Sequence, residues 1–246
     1  GSSQQALHFV AAGVASGQYD IAIAGGVESM SRNPMFSSSM GKSPYGTKFK
    51  DRYPGDDLNQ GIGAEMIAEK WGFSRTELDE FAVRSHELAA AATDAGAFES
   101  QIIPVETENG TVSVDEGIRR GGSVEKLAKL QTVFKEDGVI HAGNASQISD
   151  GSAAMLVMTS QRAKELGLTP LVRVHTAVLA GDDPVMMLTA PIPATAKALK
   201  KSGLSIDDIG TFEINEAFAP VPLAWLKETG ANPELLNPHG GAIALG

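Results

Sequence analysis

Two stretches of this chain place polar side chains where chemistry could use them. Asn215-Glu216-Ala217-Phe218-Ala219 sits where an apolar run over 209–214 gives way to helical spacing. Backbone N–H groups at a helix start are unpaired and favour negative charge. An Asn has both a donor and an acceptor, so Asn215 can hold a water or an oxyanion there. It can equally cap the helix, with Glu216 complementing the dipole. The second stretch is Ala142-Gly143-Asn144-Ala145-Ser146, followed by Ser149-Asp150-Gly151. Small residues let backbone approach a ligand closely, and a Ser hydroxyl bonds an amide. The same residues also build tight turns. A third feature is charge: Arg119, Arg120, Lys126, Lys129 and Lys135 stand against Glu125 over 118–135. Such a cluster binds phosphates through charge-assisted hydrogen bonds, or it is simply a solvated helix face.

Other chemistry is excluded. There are 0 Cys, which removes disulfides, thiolate metal sites and a thiolate nucleophile from these residues. His8, His86, His141, His175 and His239 show no metal-ligand spacing, so no metal is expected. No Ser/His/Asp set can be assembled, and His239 is not assigned a catalytic role. The net charge of −10 argues against nucleic acid or an anionic membrane as partner. It leaves room for a small anionic ligand, because local fields can oppose the global sign. No apolar run approaches the ~20 residues of a membrane span.

The elements that must position these residues follow from periodicity. Leu7, Val10, Ala11, Val14 and Ala15 predict a helix over 4–16, and Ile21-Ala22-Ile23-Ala24 a buried strand before Gly25-Gly26. The stretch 31–59 has no sustained periodicity, and long irregular stretches of this kind are often functional. Helices are expected over 61–71 and from a Ser74/Glu77 capping box to about residue 95. Short strands are expected around Glu108-Asn109-Gly110, and a short helix over 123–130. From residue 152 the order is strand 152–158, helix 160–166, strand 171–179, helix 193–202, strand 209–214, helix 216–229. That alternation predicts an α/β layered fold.

Five strings, in order along the chain, resemble the thiolase family: Gly1-Ser2-Ser3-Gln4-Gln5-Ala6, Gly25-Gly26-Val27-Glu28-Ser29-Met30-Ser31, the 142–151 segment, the 215–219 string, and Asn237-Pro238-His239-Gly240-Gly241-Ala242-Ile243-Ala244-Leu245-Gly246. Taken alone, the opening Gly-Ser-Ser also reads as a tag scar. In the family the first string follows the nucleophilic Cys, and the last stops one residue short of the catalytic His-Pro. The resemblance thus implies that the nucleophile, the catalytic His and the second Cys lie outside these residues, and that the piece alone is inactive.

The resemblance implies a five-layer αβαβα fold with an inserted loop domain. On that pattern 1–29 ends the first half, 30–147 is the insertion, and 148–246 is most of the second half. It implies thiolysis of 3-ketoacyl-CoA, or the reverse Claisen condensation, through a Cys acyl-enzyme, in fatty acid metabolism and β-oxidation. CoA is a substrate and no cofactor is expected. Asn215 takes the role of holding the oxyanion-hole water. Arg119 and Lys126 fall at the nucleotide end of CoA, Ala142 and Ser146 along its pantetheine arm, Phe134 at an apolar wall of the site, and Met187 and Phe218 at the acyl pocket. Lys126 departs from the Ser of biosynthetic members. Asn59-Gln60 stands where acetoacetyl-specific members carry His-Met, which favours a degradative enzyme with a bulkier acyl substrate. A homodimer or homotetramer and a cytoplasmic location are expected. Two alternatives remain: a ketoacyl-synthase-like relative, which would carry a His-bearing motif at 215–218, and a non-catalytic CoA-binding or scaffold protein.

Overall fold

The computed structural model describes residues 1–54 and 58–246. Residues 55–57, within the irregular stretch expected over 31–59, lie outside the described residues. In chain order the elements are α1 (Ser2–Ala15), β1 (Ile21–Ser29), α2 (Thr47–Arg52), α3 (Gln60–Trp71), α4 (Arg75–Asp94), β2 (Val105–Thr107), β3 (Gly110–Val112) and α5 (Val124–Leu127). They continue with β4 (Asp150–Met158), α6 (Ser160–Glu165), α7 (Pro191–Ser202), α8 (Pro220–Thr229) and α9 (Ala242–Leu245). The chain divides into two compact units, Gly1–Ser43 with Ile148–Val178, and Pro44–Gln147 with Leu179–Gly246.

In the first unit β1 and β4 form an antiparallel ladder running from Ile21 opposite Met158 to Ser29 opposite Asp150. Helix α1 packs on β1. The approach is close enough that a Cβ on Gly26 would meet the Ser3 hydroxyl, so a larger residue there would make Ser3 shift. β1 therefore runs through Gly25-Gly26 instead of stopping at them: the ladder partners Ala153 and Ala154 continue opposite. At the far end Ser31 donates both its N–H (2.9 Å) and its hydroxyl to the Asp150 carboxylate. Those bonds, the hydroxyl's first, hold the Asp150 carboxyl below its ordinary range.

The second unit is helical around one apolar core. Helix α3 starts where Asn59 Oδ1 accepts from Gly61 and Ile62 N–H, and ends at left-handed Gly72. Helix α4 opens on the expected reciprocal Ser74/Glu77 box. Helices α7 and α8 each begin with Pro in the first turn and end at a left-handed Gly. Ile67 of α3, Leu78 and Phe81 of α4, Ile140, Phe212, Trp225 of α8, Leu236 and Ile243 share the core. Trp225 is buried with its Nε1–H donated to Thr195 Oγ1 at 2.8 Å, so its polar edge is satisfied.

Three expectations are corrected. No strand forms over 171–179, and 209–214 contributes a single parallel bridge, Phe212 to Leu236. A strand exists only as part of a ladder, and among the described residues neither run finds a neighbour along its length. The helix expected over 216–229 starts at Pro220, not at residue 216. Ala217 C=O and Ala219 N–H are already committed to residues 144–146, and Pro220 needs no N–H partner at a helix start.

Candidate functional site

All the geometry that follows lies in the second unit. The 142–146 and 215–219 strings, 70 or so positions apart, meet directly. Ser146 N–H donates to Ala217 C=O at 3.0 Å, and Ala219 N–H donates to Asn144 C=O at 2.9 Å. Ala145 and Phe218 form an isolated antiparallel bridge between these bonds. Beside it Phe134 meets the buried Phe218 edge-on, with centroids 5.9 Å apart. Gly61, in the first turn of α3, faces the Phe134 ring so closely that a Cβ would lie 2.3 Å from it.

Buried polar groups explain why two irregular loops hold a fixed shape. Asp79, Asn144 and His141 are all essentially inaccessible. His141 Nδ1 accepts from Gly143 N–H (3.0 Å), which puts the ring proton on Nε2 and directs it to Asp79 Oδ1 at 2.7 Å. Asn144 Nδ2 donates to the same Asp79 oxygen and to Val139 C=O, while its Oδ1 accepts from His141 N–H. Glu65 of α3 accepts from Val139 and Ile140 N–H. Burial of such groups is tolerable only when their bonds are made.

A second buried set supports the 215–219 string. Glu216 is fully buried. Its carboxylate accepts from Ser85 Oγ (2.6 Å), Asn237 Nδ2 (2.9 Å) and Ile243 N–H (3.1 Å). Asn237, at φ 45°, also brackets Ile214: its Oδ1 accepts from Ile214 N–H and its Nδ2 donates to Ile214 C=O. The alternating backbone therefore turns Glu216 inward and leaves Asn215 exposed. Asn215 is not a helix cap: the cap position of α8 is Ala219. Among the described residues its amide makes no side-chain hydrogen bond and is free for a ligand.

The basic stretch is thinner than its sequence suggests. Arg120 is held bidentately by Asp94 at 2.7–2.8 Å, Lys135 pairs with Glu69 at 3.6 Å, and Lys126 Nζ donates to Gly121 C=O. Arg119 is exposed, and its backbone N–H donates to His86 Nδ1 at 3.1 Å. Gln147 Nε2 donates to the carbonyls of Gly117, Ile243 and Ala244, which ties this loop to the Gly-rich end of the chain. Ala142 is exposed, and Ser146 is half-buried with its N–H spent on Ala217. Met187 is half-buried in a left-handed conformation (φ 59°), a strained state for a non-Gly residue. It lies next to Met186, whose carbonyl oxygen approaches Gly63 of α3 so closely that a Cβ there would sit 2.6 Å away.

Burial, and then the Arg119 charge, lower the His86 pKa from its ordinary value near 6.5. A depressed folded-state value means that the unfolded chain binds more protons just below pH 6.5, so stability is present above that pH and is lost as pH falls toward the folded value. We expect the urea midpoint to drop between pH 7 and 5.5 by less in His86→Gln than in the wild type. Equal slopes for the two proteins would remove His86 from the account.

Sequence reasoning found the loops but missed their supports: Asp79, Ser85, His86, Glu65, Asn237 and the inward role of Glu216. A signal existed. Asp79, Ser85 and His86 interrupt the face of α4 that carries Leu78, Phe81, Ala82, Ala89 and Ala92. Polar residues on an apolar helix face demand buried partners. Among the described residues no group of three His, Asp or Glu could hold a metal ion, and no helix is long and apolar enough to cross a membrane.

Residues 1–161 match the family described as thiolase, N-terminal domain, and residues 168–246 match thiolase, C-terminal domain. The chain is similar to a steroid 3-ketoacyl-CoA thiolase, FadA6, of Mycobacterium tuberculosis, at 49% identity over 254 residues covering 100% of this chain and 62% of that protein. It is 41% identical to a 3-ketoacyl-CoA thiolase of Marinobacter nauticus, covering 100% of this chain and 64% of that protein. A probable acetyl-CoA acyltransferase of Staphylococcus aureus is 43% identical, with 100% and 66% covered. The chain thus spans less than two thirds of the length of these curated relatives.

Proposed function

The chain belongs to the thiolase family, and from that premise we propose that the protein it contributes to is an acyltransferase acting on 3-ketoacyl-CoA. Its reaction transfers the acyl group to a cysteine thiolate with release of acetyl-CoA, and then to the thiol of CoA; the reverse direction is the Claisen condensation. The sequence has 0 Cys, so that thiolate comes from outside these residues. The observation that carries the proposal is the direct pairing of the 142–146 loop with the 215–219 string, which brings a small-residue ligand loop to an exposed, uncommitted Asn215 amide. Asn215 holds the water that donates to the developing oxyanion. Ala142 and Ser146 border the pantetheine arm, Arg119 and Lys126 the nucleotide end, and Phe134, Phe218 and Met187 the acyl group.

Within this reading the parent protein has the five-layer αβαβα fold, with 1–29 and 148–246 belonging to its two halves and 30–147 inserted, and it assembles as a homodimer or homotetramer. The similarity to a steroid 3-ketoacyl-CoA thiolase supports a bulky acyl substrate. So does Asn59-Gln60, which stands where acetoacetyl-specific members carry His-Met.

Calorimetric titration of CoA into the protein at its relatives' length tests the ligand class. We expect Arg119→Ala to weaken CoA about three- to tenfold, the scale of one charge-assisted hydrogen bond at an exposed site, with no change for pantetheine lacking the nucleotide. A protein with no CoA affinity at all would end the proposal.

A further inference from the structure

We infer that Glu216 and Ser85 are positioning residues for Asn215, an inference that rests on the reading of Asn215 given above. Three elements distant in sequence converge on one buried carboxylate. Ser85 comes from α4, Asn237 from the start of the Gly-rich end, and Ile243 N–H from α9. Ser85 Oγ is used in both directions: it donates to Glu216 Oε2 at 2.6 Å and accepts from Gly241 N–H at 3.1 Å. The fit around the carboxylate is tight, since a Cβ on Gly241 would lie 2.4 Å from Glu216 Cδ. Asn237 in turn brackets Ile214, so the residues on both sides of Asn215 are fixed by side chains, and among the described residues none of those side chains hydrogen-bonds Asn215.

An exposed amide at the edge of a core cannot orient itself. Its direction is set by the backbone that carries it, and the Ile214 and Glu216 bonds fix that backbone. A reacting group misplaced by about 1 Å can cost on the order of a hundredfold in rate. The set therefore acts on the rate of the chemical step through Asn215, and not on CoA affinity.

Ser85→Ala is the variant to test, because it removes one hydroxyl and keeps Glu216, whereas Glu216→Ala risks the fold. In the thiolase assay on the protein at its relatives' length, we expect Ser85→Ala to lower kcat about tenfold with KM for CoA within twofold, and Ser85→Thr to restore most of the rate. The Asn215→Ala/Ser85→Ala double variant should have the kcat of Asn215→Ala alone. Equal fractional losses from Ser85→Ala in both backgrounds, or no loss of kcat per folded molecule in either, would overturn the inference. If instead Asn215→Ala itself leaves kcat unchanged, the reading of Asn215 fails first, and with it this inference.

Discussion

The 246-residue polypeptide, given 3-ketoacyl-CoA and CoA, is expected to form shortened acyl-CoA no faster than buffer. Carbon–carbon cleavage by this route needs a nucleophile that is anionic near neutral pH, forms an acyl-enzyme, and leaves again when CoA takes the acyl group. A thiolate does both, and the sequence has 0 Cys. A hydroxyl could replace it only beside a general base within about 2.6–3.2 Å. The two buried histidines are not available as bases: His141 uses both ring nitrogens, on Asp79 and on Gly143 N–H, and His86 Nδ1 is taken by Arg119 N–H. The expectation extends to intermediates, so mass spectrometry after incubation with acyl-CoA should show an unmodified chain. Turnover approaching that of full-length relatives, or a stable acyl adduct on any Ser or Thr, would refute it and relocate the chemistry to a residue not considered above.

What was legible in the sequence divides along physical lines. Capped helices were readable because their signals are local: α4 opens on the expected Ser74/Glu77 box, α3 ends at Trp71 and α7 at Ser202 as expected, and α7 starts at Pro191, two residues before the expected 193. Strands were harder, since a ladder is a long-range fact. The run 21–24 found β4 more than a hundred positions away, whereas 171–179 found none. The candidate site was half legible. Exposed Asn215 and the small residues of 142–146 announce themselves by type and order. The bonds that hold them do not, because Asp79, Ser85, Asn237 and Glu216 read as ordinary polar residues until the fold buries them. Glu216 is the clearest case. Its sequence position suggests a carboxylate beside a helix start, yet it lies in the core and accepts from three donors.

Asn215→Ala in the protein at its relatives' length is expected to lower kcat by about a hundred- to a thousandfold. That is the usual cost of losing one preorganised donor at an oxyanion site. Two features separate this from a structural effect. Asn215 is exposed and caps no helix, since α8 takes Ala219 as its cap, so its amide supports nothing in the fold. Truncation there should shift stability by less than about 0.5 kcal/mol, as for other surface substitutions away from special features. In the role proposed for Asn215 the contact is made only as negative charge develops on the acyl oxygen, so kcat and kcat/KM should fall together with KM for CoA unchanged. Glu216→Ala should add a loss of stability to its loss of rate. It leaves the Asn237 amide and the Ile243 N–H without a buried acceptor, at about 1–3 kcal/mol each, so its first symptom is a lowered midpoint of unfolding. A variant pair that reversed this pattern, with Asn215→Ala unfolding early and Glu216→Ala as stable as the wild type, would show that the exposed amide is structural and that the buried carboxylate is not.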